Sequence, residues 1–257
     1  DRAGHRSILD LLGEFAQSRE AVGDIVNQVL ITLDRLGTVD MQRQMSVKPT
    51  QLGLGISPEL ALGNAVAIAS RAQRLGVHLC LGMENHPYTD GTLALLAALH
   101  ERGFSDVSTV LQSYLHRSPA DLAELVRRFP DSQVRIVKGA YREPAAVAHQ
   151  DSRKVHSEYL AMLQTALDGG LYVNIATHDE QLIQDVAALL RQAGAGRDRY
   201  EFQLLYGIKP RLQARLLEEG HTVRVYVPYG HDWYGYYSRR LAERPANLAM
   251  VIRGLFG

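Results

Sequence analysis

Residues 223–243 have the sequence VRVYVPYGHDWYGYYSRRLAE, which predicts a strand, a turn and a helix in succession. Alternating valines indicate the strand at 223–227, and the proline and glycine of 228–230 indicate the turn. An aspartate in a capping position then predicts a helix over 233–243. This order of strand, turn and helix is the unit from which an α/β fold is built.

The predicted helix carries Tyr236 followed three and four residues later by Arg239 and Arg240. At that spacing a ring and two guanidinium groups cover one patch of a helix surface. Guanidinium groups bind carboxylates bidentately, and aromatic rings cover apolar groups. The patch therefore predicts a site for a small, partly apolar carboxylic acid. A solvated helix face with two unrelated arginines is the alternative.

The same order of strand and helix recurs along the whole chain. Short apolar or β-branched runs predict strands at 7–11, 41–47, 77–83, 107–111, 133–137, 171–176, 200–204 and 223–227. Amphipathic segments predict helices at 19–36, 58–75, 91–102, 119–129, 152–168, 180–193, 210–219 and 233–243. Eight such units in 257 residues match the number and size of a (β/α)8 barrel. A doubly wound open sheet is the alternative, but no G-x-G-x-x-G loop is present.

The composition favours one domain over residues 1–257, because no linker, low-complexity segment or internal repeat interrupts the pattern. The chain has 28 basic and 28 acidic residues and no long basic run, which argues against nucleic acid as a partner. Its single cysteine, Cys80, fits a reducing compartment. No apolar run approaches the length that a membrane-spanning helix needs.

Active sites of barrel enzymes lie at the carboxyl ends of the strands, and polar residues are frequent at these predicted ends. The residues at or just after them are Glu14, Lys48, Glu84, Gln112, Lys138, Gly139, Ala140, Thr177, His178, Leu205, Tyr206 and Tyr226. The chain has only four lysines, and two of them belong to this set. This concentration predicts an enzyme.

The residue types leave more than one chemistry open. Lys48 and Lys138 are candidates for Schiff-base lysines, anion-binding lysines or ordinary rim residues. His178 is a candidate general base, metal ligand or hydrogen-bonding group, although the absence of H-x-H and H-E-x-x-H spacings argues against a metal site. The absence of G-x-S-x-G argues against a nucleophilic hydrolase. The VKGA turn at 137–140 either lets backbone approach a phosphate or planar ring, or is simply tight.

Four motifs, taken in order, carry a resemblance to a known family. They are VRIVKGAYRE at 134–143, ATHDE at 176–180, YEFQLLYG at 200–207 and the closing helix with its tyrosine and two arginines. Together they resemble the flavin-dependent proline dehydrogenases, which occur alone or as the first catalytic part of bifunctional proline-utilisation proteins. The resemblance runs from LLGE at 11–14 to PANL at 245–248. It implies a distorted (β/α)8 barrel with FAD at the carboxyl ends of the strands and the last helix over the site.

The resemblance also implies roles for residues that bind the substrate carboxylate. Arg239 and Arg240 would hold the carboxylate of proline as a fork, helped by Lys48. Glu243 would orient the two arginines. Glu14 is similar to the family glutamate that pairs with the first arginine and closes the site.

Further positions correspond to the ring site and the flavin site of the family. Leu205, Tyr226 and Tyr236 would enclose the pyrrolidine ring. Arg135 corresponds to the arginine near the reactive edge of the flavin and, with Lys48, is the expected catalytic residue. The remaining flavin-binding positions would be Met83, Gln112, Lys138, Gly139, Ala140, Thr177 and His178.

The reaction that the resemblance implies is hydride transfer from the proline ring carbon beside nitrogen to FAD, which yields pyrroline-5-carboxylate. Electrons would then pass to a membrane quinone, so we expect a cytoplasmic protein with peripheral contact at the inner face of the membrane. No metal is expected, and the oligomeric state is open. From the residues alone, a lysine-dependent barrel aldolase or lyase acting on a small carboxylic acid is the second hypothesis, and a non-catalytic barrel that binds such an acid is the third.

The sequence LGMEN at 81–85 departs from the family pattern, which usually has D-[MA]-E at the end of the third strand. The family aspartate pairs with the lysine that follows strand 2. Gly82 stands at that place, so Lys48 is expected to lack this partner unless Glu84 substitutes for it. The departure predicts weakened activity or an altered position of Lys48.

Overall fold

Eight parallel strands form a closed barrel within residues 4–230, the part of the chain that this computed structural model describes. The strands follow one another around the barrel in chain order, as the (β/α)8 prediction requires. They are β1 (Arg6–Leu11), β2 (Gln44–Val47), β3 (His78–Leu81), β4 (Val107–Gln112), β5 (Gln133–Val137), β6 (Tyr172–Ala176), β7 (Tyr200–Leu205) and β8 (Val223–Tyr229).

A helix follows each of the first seven strands. These helices are α1 (Arg19–Gly37), α2 (Pro58–Leu75), α3 (Thr89–His100), α4 (Ser118–Arg128), α5 (Ser152–Asp168), α6 (Glu180–Gln192) and α7 (Pro210–Glu218). A short 3₁₀ turn, His86–Tyr88, precedes α3. The last predicted helix, 233–243, lies outside the described residues. Among the helices of residues 4–230, none has the length and apolar content to cross a membrane.

Local signals in the sequence set both ends of α2. The Ser57 hydroxyl accepts a hydrogen bond from the amide of Leu60 at 3.2 Å, and Pro58 occupies the first helical position, where its missing N–H has no cost. Gly76, in the left-handed conformation at φ +61°, ends the helix. Between these ends, small apolar residues at helical spacing are buried, namely Ala61, Ala65, Ile68, Ala69 and Ala72.

Tertiary contacts group the described chain into two compact units. One comprises Ser7–Thr109 with residues 227–230, and the other comprises residues 4–6 with Val110–Tyr226. Within the first, β2 is buried along its whole length and pairs in parallel with β1 and β3. Within the second, β5, β6, β7 and β8 pair in parallel in that order. The expectation of a single domain over 1–257 stays a prediction.

Strand β8 is longer than predicted, and the prediction of a turn over 228–230 was wrong. Pro228 and Tyr229 continue the strand. The Tyr229 carbonyl accepts a hydrogen bond from the amide of Leu12 at 2.8 Å, and its hydroxyl donates to Thr32 Oγ1 at 2.8 Å. These two bonds hold the backbone extended, so that the bend comes only at Gly230 with φ +117°.

Other boundaries also differ from those predicted. Strand β2 begins at Gln44 rather than at 41, because its ladder with β3 begins opposite His78. Strand β3 ends at Leu81, the last residue paired with β2, rather than at 83. Helix α4 spans Ser118–Arg128 rather than 119–129, and the Ser118 hydroxyl donates to the carbonyl of Gln112 at 2.7 Å.

Candidate active site

Lys48 follows β2 directly, and its ammonium group lies among carboxylates that come from β1 and the segment after it. Its Nζ atom is 3.0 Å from Glu14 Oε1 and 3.8 Å from Asp10 Oδ2, and it donates to the carbonyl of Gly13 at 3.4 Å. All three charged side chains are buried. Neighbouring carboxylates favour the charged form of an amine, whereas a Schiff-base lysine must be uncharged to attack. The cluster therefore argues against a Schiff base at Lys48.

With glycine at position 82 the family aspartate beside Lys48 is absent, as the sequence implies, but Lys48 does not lack carboxylate partners. Its partners come from the neighbouring strand instead, and one of them, Asp10, was missed by the sequence analysis. A usable signal was present, because Asp10 interrupts the apolar run of residues 8–12. An acidic residue buried in a strand is rare unless it is paired, so its position in β1 indicated a partner.

Glu84 lies three residues after the end of β3 and is fully buried. Its carboxylate accepts hydrogen bonds from the amide of Thr50 at 2.9 Å and from the Thr50 hydroxyl. Burial raises the pKa of Glu84 to about 7, although the hydrogen bonds from Thr50 act in the opposite direction and lower this pKa. The charge of Glu14 raises this pKa further and that of Lys48 lowers it. Met83, which precedes Glu84, is also buried.

Arg135 belongs to a buried polar network in the second unit. Its Nε donates to Gln203 Oε1 at 2.6 Å, and Gln203 Nε2 donates to Glu201 Oε1 at 2.7 Å. Arg224 binds the same carboxylate bidentately at 2.6 and 3.0 Å. The Arg135 guanidinium also lies over the ring of Tyr226, 5.2 Å from its centroid. Arg135 is only 5% exposed, yet its Nη2 has no hydrogen-bond partner within residues 4–230.

An ion pair joins the loop after β5 to the loop after β6. The ammonium of Lys138 contacts the carboxylate of Asp179. Asp179 also caps α6, since its side chain accepts from the amides of Gln181 at 3.0 Å and Leu182 at 3.3 Å. Thr177 Oγ1 accepts from the amide of Asp179 at 3.2 Å. The ion pair joins the loop after β5 to the first turn of α6, and Asp179 is the anionic group at that helix end.

His178 links the end of β6 to the end of β7. Its Nε2 accepts a hydrogen bond from the amide of Leu205 at 2.9 Å. Burial lowers the pKa of His178 to about 4, and the charge of Lys209 lowers it as well. The imidazole is therefore neutral at pH 7, with its proton on Nδ1, because Nε2 must act as the acceptor.

Gly139 explains the tight VKGA turn after β5. Its φ of +121° is a conformation that L-residues with a side chain rarely adopt. A Cβ atom at this position would also overlap the ring of Tyr114. Packing against Tyr114 therefore accounts for the glycine, and Ala140 continues the loop beyond it. Gln112, the last residue of β4, lies two residues before Tyr114 and is also buried.

The residues expected to surround the substrate ring are described only in part. Leu205 is the last residue of β7, and Tyr226 lies within β8 rather than at its end; both are partly buried. Tyr206 is 72% exposed. The other predicted substrate residues lie outside the described part of the chain, namely Tyr236, Arg239, Arg240 and Glu243.

The residues of the second unit fit a flavin. A buried guanidinium N–H without an acceptor is costly, so the Nη2 of Arg135 indicates that a further hydrogen-bond acceptor belongs beside it. The ring carbonyls and nitrogens of a flavin are such acceptors. Lys138, which follows β5 and contacts the cap of α6, is a cation that a flavin phosphate would share with Asp179.

Comparisons with known proteins all point to one family. The family model described as proline dehydrogenase matches residues 1–253. The proline dehydrogenase of Deinococcus radiodurans is 42% identical over 259 residues, which cover 99% of this chain and 83% of that protein. Proline dehydrogenase 1 of Bacillus subtilis (strain 168) is 36% identical over 255 residues, with coverages of 99% and 83%.

Solved structures agree on the fold. Proline utilization A (PutA) from Bdellovibrio bacteriovorus, inactivated by N-propargylglycine, superposes with a TM-score of 0.85 at 20% identity. The match covers 93% of this chain and 30% of that longer protein, so it shows the fold of the shared part alone. The family match and the curated relatives both extend over nearly the whole sequence, and on that basis the chain belongs to the proline dehydrogenase family, a family of oxidoreductases.

Proposed function

We propose that this chain oxidises L-proline to pyrroline-5-carboxylate, with FAD as hydride acceptor, as the first step of proline catabolism. Membership of the family supports proline as the substrate. The observation that carries the cofactor assignment is the buried Nη2 of Arg135, which has no partner within residues 4–230 and calls for an acceptor. Bound FAD would supply a two-electron acceptor at this site.

The proposed flavin-binding residues lie mainly in and after β5 and β6. Arg135 would donate to the flavin ring, and Lys138 would balance phosphate charge at the start of α6. His178, neutral with its proton on Nδ1, would offer that N–H as a donor. The remaining proposed flavin-binding residues are Met83, Gln112, Gly139, Ala140 and Thr177.

The carboxylate of proline would be held by Arg239, Arg240 and Lys48. Glu14 keeps the Lys48 ammonium in place at 3.0 Å. By the family resemblance, Glu14 would also pair with Arg239 and Glu243 would orient both arginines, in the part of the chain that the structure leaves undescribed. The walls around the ring would be Leu205, Tyr226 and Tyr236.

The reaction would develop positive charge on the substrate nitrogen, because the nitrogen lone pair forms the C=N bond as the C–H electron pair leaves with the hydrogen as hydride. The carboxylates of Glu14 and Asp10 would act on the substrate indirectly, by fixing the position of the Lys48 ammonium that binds its carboxylate.

The electron acceptor and location follow from the family resemblance. We propose that electrons pass from the flavin to a membrane quinone, and that the protein is cytoplasmic with peripheral contact at the inner face of the membrane. The lysine-dependent aldolase or lyase is disfavoured, because carboxylates surround the ammonium of Lys48 and Lys138 is paired with Asp179.

Anaerobic addition of L-proline to the purified, FAD-loaded protein tests the proposal. We expect a yellow protein whose flavin absorbance near 450 nm bleaches as proline is oxidised, roughly stoichiometrically with the bound flavin. Colour that no cyclic amino acid bleaches would identify a binding protein instead. A colourless protein that borohydride inactivates in the presence of a carbonyl substrate would identify lysine chemistry.

A further inference from the structure

The segment that carries Glu14 has a strained backbone. Phe15, the next residue, has φ +56°, and Gly13, the preceding one, has φ +141°. Glycine adopts such angles readily, but a phenylalanine in the left-handed region is energetically unfavourable. A strained residue persists only where its surroundings hold it, so other groups must fix Phe15 in this conformation.

Thr50, which lies 35 residues later in the sequence, holds Phe15. The Thr50 Oγ1 atom accepts a hydrogen bond from the amide of Phe15 at 2.9 Å. The same hydroxyl donates to Glu84 Oε1, and the amide of Thr50 donates to Glu84 Oε2 at 2.9 Å. Thr50 and Glu84 are both fully buried. Because the Thr50 hydroxyl donates its hydrogen to Glu84, its oxygen lone pairs stay available to accept from the amide of Phe15.

Gln51, the residue after Thr50, binds the backbone at Leu11 and the backbone at Lys48. Gln51 Nε2 donates to the carbonyl of Leu11 at 2.7 Å, and its Oε1 accepts from the amide of Lys48 at 3.0 Å. The backbone before Glu14 and the backbone of Lys48 are therefore bound to one side chain. The 3.0 Å contact between the Glu14 carboxylate and the Lys48 ammonium is held in place by these bonds.

We infer that Thr50, oriented by Glu84, is a positioning residue that sets how tightly the site binds the substrate carboxylate, by fixing Glu14 against Lys48. This inference rests on the proposed function, since it assigns a role in proline binding. Without the Thr50 hydroxyl, the amide of Phe15 loses its acceptor and the segment at 13–15 relaxes. Glu14 then no longer keeps the Lys48 ammonium in the position that a substrate carboxylate requires.

Two variants test the role of the hydroxyl. Thr50→Val removes the hydroxyl at nearly the volume of threonine, whereas Thr50→Ser keeps the hydroxyl and removes only the methyl group. For Thr50→Val we expect the KM for proline and the dissociation constant of a non-oxidisable five-membered-ring carboxylic acid to rise about tenfold, with a smaller change in kcat. We expect Thr50→Ser to restore both constants to within about twofold of wild type.

Hydrogen exchange supplies a readout that does not depend on turnover. In Thr50→Val the Phe15 amide should exchange faster, by about tenfold, than in Thr50→Ser. Glu84→Gln is a second variant, because its amide group would donate toward the Thr50 hydroxyl and disturb the orientation that Phe15 needs. We expect it to shift both readouts in the same direction.

The outcomes separate this inference from the proposed function. A wild-type protein that does not oxidise proline would overturn the function, while exchange at Phe15 would still report whether Thr50 holds the segment. A wild-type protein that oxidises proline, combined with Thr50→Val kinetics and ligand affinity equal to those of Thr50→Ser, would overturn the inference. So would a Thr50→Val variant that loses only thermal stability.

Discussion

The ammonium of Lys48 lies between two buried carboxylates, those of Glu14 and Asp10, which come from β1 and the segment after it. Removing one partner from a buried ion pair costs far more than the pair contributes in net stability, because a buried charge is left uncompensated. Each member of the cluster is therefore constrained by the other two. Gly82 lies beside this cluster at the end of β3, and a side chain placed there would meet Lys48 first.

At the scale of one residue, we predict that Gly82→Asp increases kcat/KM for proline by roughly three- to tenfold. A Cβ at this position would lie 3.4 Å from Lys48 Cγ and 3.6 Å from the carbonyl oxygen of Val47, which are ordinary contact distances. The backbone there does not have a positive φ, so aspartate fits without strain. Its carboxylate would restrain the Lys48 side chain from the β3 side.

Gly82→Asn is the matched control, because it has the same shape as the aspartate variant without the charge. Steady-state kinetics of wild type and both variants, with proline as substrate, provide the measurement. Equal kcat/KM in all three proteins would show that a carboxylate at position 82 has no influence on Lys48, and that the departure from the family pattern is neutral.

At the scale of one element, the turn between β5 and α5 depends on Gly139. We predict that Gly139→Ala lowers the free energy of unfolding by more than about 2 kcal/mol, because a positive φ and a steric overlap with the Tyr114 ring act together. Flavin occupancy should fall as well, since this turn carries Lys138 and Ala140, two of the proposed flavin-binding residues.

Gly103→Ala separates the two causes. Gly103 also has a positive φ, +86°, but a Cβ there meets nothing within 4 Å. We expect this control to lose only about 1 kcal/mol, the backbone contribution alone. Urea denaturation measures both variants, and equal losses in the two would contradict the role assigned to Tyr114.

Sequence periodicity and caps predicted elements well where local signals decide their bounds. The bounds of α2, α5 and β5 agree with those predicted, and Asp151 caps α5 by accepting from the amide of Arg153. The prediction failed where a distant group decides. Strand β8 extends to Tyr229 because Leu12 and Thr32, more than a hundred residues earlier, bind its carbonyl and hydroxyl.

At the scale of the whole molecule, buried titratable groups make global stability depend on pH. The pKa values of His178 and His221 are lowered from 6.5 to about 4, mainly by burial, so the unfolded chain binds protons more readily between these values. Each histidine therefore reduces stability as the pH falls from 6.5 toward 4. The pKa of Glu84 is raised from 4.5 to about 7, so this residue reduces stability as the pH rises across that range.

We predict that stability decreases as the pH falls from 6.5 to 4.5, by up to about 1.4 kcal/mol per pH unit from these three groups together, since two histidines oppose one glutamate. His178→Gln, whose amide oxygen can accept from Leu205, should flatten this dependence. Glu84→Gln should make it steeper. Urea denaturation across the range checks all three proteins, and identical slopes would refute the assignment.

The sequence by itself determined the order of eight strands and their helices, the family and most of the residues at the strand ends. These depend on periodicity, caps and short motifs, which are local properties of a chain. It did not determine the partners of those residues. Lys48 was expected to lack the family partner at the end of β3, and its carboxylate partners, Glu14 and Asp10, come from β1 and the segment after it. Thr50 joins Glu84 to the strained Phe15. Only the tertiary structure decided these contacts, because folding brings together groups more than thirty residues apart and burial makes each one find a partner.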